Sequence, residues 1–178
     1  MNKHKRIIIS SVVAIVVMAG GFTISNIERS HRVKKNINTG LISALIPNVK
    51  SFYKVGETVK IRDISMTINK IDISNGTKTD MPESGKEYLI VTVTIRNGSK
   101  SNVSYDGDDF QIQNAKGNVK NSVVTMLEAN QTFRSGDVAP NKEVTGTMTF
   151  LPEKDSKGLS LTYNGDIFGH TIVHFKLN

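Results

Sequence analysis

The chain of 178 residues contains no cysteine and no tryptophan, only four prolines, and 6% aromatic residues. Without cysteine there is no disulfide framework, no thiolate nucleophile, no Cys-based zinc site and no sulfur to carry a lipid. A fold in an oxidising compartment must then be held by its core alone. A domain above about 100 residues manages this, burying roughly two-thirds of the surface its unfolded chain exposes. Also missing are a helix-period stripe of useful length beyond residue 53 and a nucleophile-elbow pattern such as G-x-S-x-G, although abundant Ser and Thr leave a Ser–His–Asp grouping by chance open. The sequence therefore predicts a protein that is not an enzyme, with no catalytic residues, no cofactor-binding residues and no committed metal ligands.

Charge is present but localised. Residues 1–35 hold seven Lys/Arg (Lys3, Lys5, Arg6, Arg29, Arg32, Lys34, Lys35) against Glu28, giving +6 of the formal +7. The remaining 16 basic and 15 acidic residues leave 36–178 at +1. Nucleic-acid binders concentrate positive charge on the domain that meets phosphate. Here it brackets an apolar run instead, so no nucleic-acid partner is expected.

That run, residues 7–24 (IIISSVVAIVVMAGGFTI), carries no charge. As a helix its 18 residues would span about 27 Å, just short of a bilayer core of about 30 Å. It is longer than the apolar region of a cleavable signal, although the small residues Ala19, Gly20 and Gly21 offer a cleavage context. Length favours an uncleaved membrane anchor; a cleaved signal and a buried helix are the alternatives. The basic residues before it place the N-terminus inside and the rest outside, against the weaker pull of four basic residues after it. Residues 25–52 read as a basic linker or stalk. It contains a short apolar patch, Leu41 to Pro47, that suits packing on the domain, the membrane surface or another protein.

From Tyr53 the hydrophobic period changes to two. Glu57–Arg62 reads as a strand. Ile64, Met66 and Ile68 alternate, and Ile71 and Ile73 resume in the opposite phase, which predicts a bulge near Asn69–Lys70. In Glu87–Asn97, the clearest strand, Leu89, Val91, Val93 and Ile95 share one face; Tyr88, Ile90, Thr92 and Thr94 share the other. Further strands are expected at Phe110–Gln113, Val119–Leu127, Val144–Phe150, Leu159–Tyr163 and Thr171–Leu177. Asn75-Gly76, Asn97-Gly98 and Asn164-Gly165 supply turn residues that tolerate positive φ. Seven or eight short strands with such turns predict an all-β, antiparallel, immunoglobulin-like sandwich over 53–178, preceded by an N-terminal hydrophobic helix within 1–24.

Several residues deserve weighing as sites. Asp106, Asp108 and Asp109 in Asp106-Gly107-Asp108-Asp109 offer three carboxylates of the kind calcium prefers, but lack the spacing and terminal Glu of an EF-hand loop. An Asp-rich turn, bonded to its own backbone, is the better reading. His170 and His174 would lie about 13 Å apart along a strand, too far to chelate together. His4 and His31 fall in the tail. Asn75, Asn97, Asn102 and Asn130 each begin an N-x-S/T sequon, which matters only in a eukaryotic secretory pathway.

A group of segments carries a resemblance. Val55-Gly56-Glu57-Thr58-Val59 opens the domain. Gly85-Lys86-Glu87-Tyr88-Leu89-Ile90-Val91 leads into Ile95-Arg96-Asn97, and Phe110-Gln111-Ile112-Gln113-Asn114-Ala115-Lys116-Gly117 follows. Ser135-Gly136-Asp137-Val138-Ala139-Pro140-Asn141-Lys142-Glu143-Val144-Thr145-Gly146 then precedes Phe150. In this order they resemble the telokin-like, immunoglobulin-fold domain-of-unknown-function family of Gram-positive lipoproteins and membrane-anchored exported proteins, similar in fold to a secreted mycobacterial immunoprotective antigen. The match covers about residues 53–178. It departs where the family has Pro-Gly and this chain has Pro140-Asn141, and in the absence of a lipid-bearing cysteine. The resemblance implies a sandwich, an extracytoplasmic location and adhesion or partner binding, and assigns no catalytic residue.

Together these readings predict a non-catalytic, extracytoplasmic binding module tethered to the membrane through residues 7–24. It would recognise a protein or cell-envelope ligand through the Asn97–Asp109 and Asn130–Asn141 loops or a sheet edge. The alternatives are a subunit of a membrane-associated transport, secretion or conjugation complex, and a secreted small-ligand carrier or enzyme released by signal cleavage.

Overall fold

The computed structural model describes residues 49–127, 131–169 and 171–178. The predicted anchor 1–24, the patch Leu41–Pro47 and the side chain of His170 lie outside them; among the described residues no helix is long and apolar enough to cross a membrane.

Eleven strands build the fold: β1 (Tyr53–Lys54), β2 (Thr58–Ile61), β3 (Ile64–Ser74), β4 (Tyr88–Asn97), β5 (Val103–Tyr105), β6 (Phe110–Gln113), β7 (Val119–Asn121), β8 (Gly136–Val138), β9 (Lys142–Phe150), β10 (Ser160–Tyr163) and β11 (Val173–Lys176). One sheet runs β2-β3-β4-β9, the second β1-β11-β10-β6-β7, and β5 and β8 form a two-stranded ribbon. The predicted β-sandwich is therefore present with more, shorter strands than the sequence suggested. It is also not purely antiparallel, because β1 pairs with β11 in parallel, Tyr53 opposite Phe175.

The core forms where the two-residue period predicts. Leu89, Val91, Val93 and Ile95 are all buried on the inner face of β4. The bulge falls between Ile68 and Lys70. Its cause is geometric: Ile68 pairs with Val93 and Ile71 with Val91, so a three-residue step on β3 must match a two-residue step on β4. The extra residue, Asn69, turns outward and accepts the Thr94 hydroxyl at 2.9 Å. The two ends of β3 thereby turn Ile64, Met66 and Ile68, then Ile71 and Ile73, to the same side of the sheet; Ile71 packs half-buried against the core and Ile73, at the strand's end, is exposed.

The second face of β4 carries buried residues as well, Tyr88 and Ile90. Asp80 explains part of this: one carboxylate oxygen accepts the Tyr88 hydroxyl at 2.8 Å and the other the Met126 N–H at 2.5 Å. Two loops distant in sequence are thus tied to the start of β4. The expected strand Val119–Leu127 is broken. Val119–Asn121 pairs with β6 in one sheet, whereas Val123 bridges to Thr149 in the other. The chain changes sheets there, and together with the bridge from Thr132 to Thr147 it covers the outer edge of β9, which would otherwise present unpaired backbone.

Of the Asn-Gly turn signals, only Gly76 has the positive φ anticipated, at 80°. Asn141 stands in the left-handed region at φ 57°, where Pro140-Asn141 replaces the family's Pro-Gly.

Candidate functional site: an acidic cleft at one end of the sandwich

Five aromatic side chains gather in one cluster. Phe110 packs on Tyr163 with ring centroids 4.9 Å apart and edge-on against Phe133 at 6.0 Å; Tyr163 meets Phe168 at 5.7 Å and Tyr105 meets Phe133 at 4.5 Å. Such pairs add about 0.5–1.5 kcal/mol each beyond their burial. They make a stiff floor under one end of the sandwich, and three loops converge above it.

The two loops singled out from sequence meet in space. Their β5 and β8 segments pair Val103 with Val138, Ser104 with Asp137 and Tyr105 with Gly136. The Ser104 hydroxyl donates to Asp137 Oδ1 at 2.6 Å. A 3-10 turn over Gly107–Asp109 follows, capped by Asp106, whose Oδ1 accepts the Asp108 N–H at 2.9 Å. The Gly107 N–H donates to the Arg134 carbonyl at 3.0 Å, tying the turn to the approach to β8. The third loop joins through the Asn164 N–H, which donates to the Asp109 carbonyl at 2.9 Å.

Between these loops lies a cleft of about 580 Å³ whose walls carry Asp106, Asp109, Asp137 and Asp166 beside Ser104 and Asn164. A smaller, more enclosed groove of about 300 Å³ shares Asp106 and Ser135 with it and continues along Val123, Leu127 and Thr147. The acidic turn read from sequence is thus real and forms one wall; Asp137 and Asp166 were missed. Each stands in a short turn-like segment, Ser-Gly-Asp and Asn-Gly-Asp, and only the tertiary pairing of those segments signals a shared site.

The electrostatics follow from the crowding. Burial, then the neighbouring Asp106 and Asp166 charges, push the Asp109 carboxyl above its usual range, and a hydrogen bond with the Tyr163 hydroxyl partly opposes this. The Tyr163 phenol, buried and also accepting the Ile167 N–H at 3.2 Å, is pushed up in turn. An ordinary Asp titrates near about 3.9, so between that value and its raised folded value the folded chain keeps a proton the unfolded chain has released. The contribution of Asp109 to stability thus declines as pH rises through that interval and is least favourable at neutral pH. Asp109→Asn is expected to raise the thermal midpoint at neutral pH, with the gain vanishing towards about pH 4; a gain constant across that range in a melting series would contradict the assignment.

The carboxylates do not assemble a metal cage. An Asp106 oxygen is engaged by its own turn and Asp109 faces Tyr163; among the described residues no group of three or more His, Cys, Asp or Glu is placed to hold a metal ion. His174 lies on β11, half-buried, with Nδ1 3.0 Å from the Thr162 hydroxyl. Burial lowers its pKa. Phe52 lies beside its ring at 5.5 Å, and the Lys176 ammonium sits 5.5 Å from the Phe52 ring. Of the sequons, Asn75 and Asn102 are exposed, Asn130 lies outside the described residues, and Asn97 is fully buried.

Two facing sheets, a single core and loop-built concavity at one end define a β-sandwich domain of the immunoglobulin-like class. The chain belongs to the DUF4352 family, a domain of unknown function, whose pattern matches residues 53–173. It is similar to the uncharacterized lipoprotein YjhA of Bacillus subtilis, with 26% identity over 126 residues, 63% of this chain; it spans only 58% of that relative's length. The crystal structure of YjhA superposes with a TM-score of 0.58 at 21% identity, covering 71% of this chain and all of that one. The secreted protein MPT63 of Mycobacterium tuberculosis gives a TM-score of 0.52 at 13% identity, covering 69% and 94%. These structures share the fold.

Proposed function

We propose that this chain is a non-catalytic, extracytoplasmic binding module, held at the membrane by residues 7–24, whose acidic cleft receives cationic groups of a protein or cell-envelope ligand. One observation carries the reading: four carboxylates converge on a concave end of a domain whose overall charge is close to neutral. A cleft lined by one sign of charge focuses its field and raises the local concentration of the opposite sign. The similarity to a lipoprotein supports the extracytoplasmic placement. A floor of packed rings supports a preformed cleft, which spares a ligand the cost of ordering it.

The triple substitution Asp106→Asn, Asp137→Asn and Asp166→Asn tests this in the full-length protein in its membrane. At about 0.3–1 kcal/mol per charge, capture of the partner should weaken by about tenfold, and wild-type capture should fall with added salt. The thermal midpoint should not fall, because all three aspartates are exposed and each is replaced by an amide of the same size; a small rise is expected as the repulsion on Asp109 is relieved. Undiminished capture by a folded triple variant would remove the cleft from the account.

A further inference from the structure

We infer that the exposed asparagines Asn75 and Asn164, each followed by glycine, are sites of spontaneous deamidation, whereas Asn97-Gly98, the same dipeptide, is held inert by the fold. The chemistry needs only water. The glycine main-chain nitrogen attacks Cγ of the asparagine, the amide nitrogen leaves as ammonia, and a five-membered succinimide closes. Water then opens the ring at one carbonyl or the other, giving aspartate or isoaspartate, with no oxidant or reductant consumed.

Ring closure requires an asparagine side chain free to turn back on the chain. At Asn97 that freedom is gone: Nδ2 donates to the Ser101 carbonyl at 2.7 Å and the Val138 carbonyl at 2.8 Å, and Oδ1 accepts the Ser99 N–H at 2.9 Å. The attacking nitrogen is engaged as well, because the Gly98 N–H donates to the Asp63 carbonyl at 2.8 Å. Asn75 and Asn164 are exposed at the ends of β3 and β10, and no described hydrogen bond grips either side chain. Gly165 is itself buried and the Gly76 N–H donates to the Ser74 hydroxyl at 3.0 Å, so the contrast with Asn97 rests on the freedom of the side chain.

Their glycines cannot be exchanged to remove the hazard. A Cβ at Gly76, whose φ is 80°, would collide with the Asp80 carbonyl, and one at Gly165 with the Asp109 carboxylate and Tyr163 hydroxyl. The fold thus requires, at both places, the residue that leaves the attacking nitrogen least hindered. The product at Asn164 also matters for the cleft, adding a fifth carboxylate to its wall. That consequence rests on the binding role proposed above; the modification itself does not.

The test is peptide mapping by mass spectrometry of the full-length protein in detergent, aged in mildly alkaline buffer with a urea-unfolded sample in parallel. Folded protein should gain about one dalton at Asn75 and Asn164 at least about tenfold faster than at Asn97, and unfolding should bring Asn97 up to the rate of the other two. Conversion at Asn97 as fast as at the exposed sites, exposed sites as inert as Asn97, or a slow Asn97 even in urea would each overturn the inference. Because the readout is mass, it is unaffected by whether the cleft binds anything.

Discussion

Val93→Asp is expected to leave no cooperatively folded domain. Val93 is fully buried at the middle of β4, paired with Ile68 on one side and Gly146 on the other. Replacing it removes about 1.5–3 kcal/mol of apolar burial and asks a carboxylate to sit in the core without a cation or donor. Even protonated, the group leaves unsatisfied polar atoms costing a further 1–3 kcal/mol or so. The sum, about 2.5–6 kcal/mol before any cost of burying the charge itself, reaches the lower end of a domain's stability of roughly 5–15 kcal/mol. The control is Val93→Ala, which should cost only about 1–3 kcal/mol and keep a sigmoidal melt. Circular dichroism melts of both variants decide it, and a wild-type midpoint for the aspartate would show the inner face of β4 to be wrongly assigned.

Asn97→Ala should be nearly as informative for its size. The Asn97 side chain joins the end of β4 to the Ser99–Ser101 turn and to the Val138 carbonyl in β8, 41 residues away. Alanine leaves two acceptors and one donor without their partner, at an expected cost of about 2–4 kcal/mol. The loss should be felt locally first. Hydrogen exchange should accelerate in β5 and β8, which frame the cleft, while the centre of β3 and β4 stays protected. A cost below about 1 kcal/mol with unchanged exchange would mean that the ribbon is held by something other than this clasp.

These two residues also mark what could be read from the sequence. Val93 was legible because a two-residue period on a long strand leaves one choice of inner face, and the Asn69 bulge was legible because the phase of β3 visibly reverses. Asn97 reads as a turn residue and does accept the Ser99 N–H in a local turn, but that is only half of its role. Its dipeptide resembles a turn signal, and nothing local says that its amide reaches a carbonyl 41 residues on. The same limit hid most of the cleft. Asp106, Asp108 and Asp109 are contiguous and stood out, whereas Asp137 and Asp166 join them only through the pairing of β5 with β8 and the Asn164–Asp109 hydrogen bond. The three unanticipated strands have two or three residues each, too short for alternation to register. The hydrogen bond that holds Tyr88 on the second face of β4 comes from Asp80, in a loop no periodicity describes.

The measurement closest to the central claim is site-specific photocrosslinking of the full-length protein in its native membrane. The probe is placed at Asn164 in the cleft wall or, as control, at exposed Lys154 in the loop after β9. The account predicts a reproducible adduct from Asn164 whose captured segment is rich in Lys, Arg or other cationic groups. That adduct should disappear with the Asp106→Asn, Asp137→Asn, Asp166→Asn substitutions and fade with salt. An adduct formed from Lys154 but not from Asn164, or one at Asn164 indifferent to both charge and salt, would contradict it.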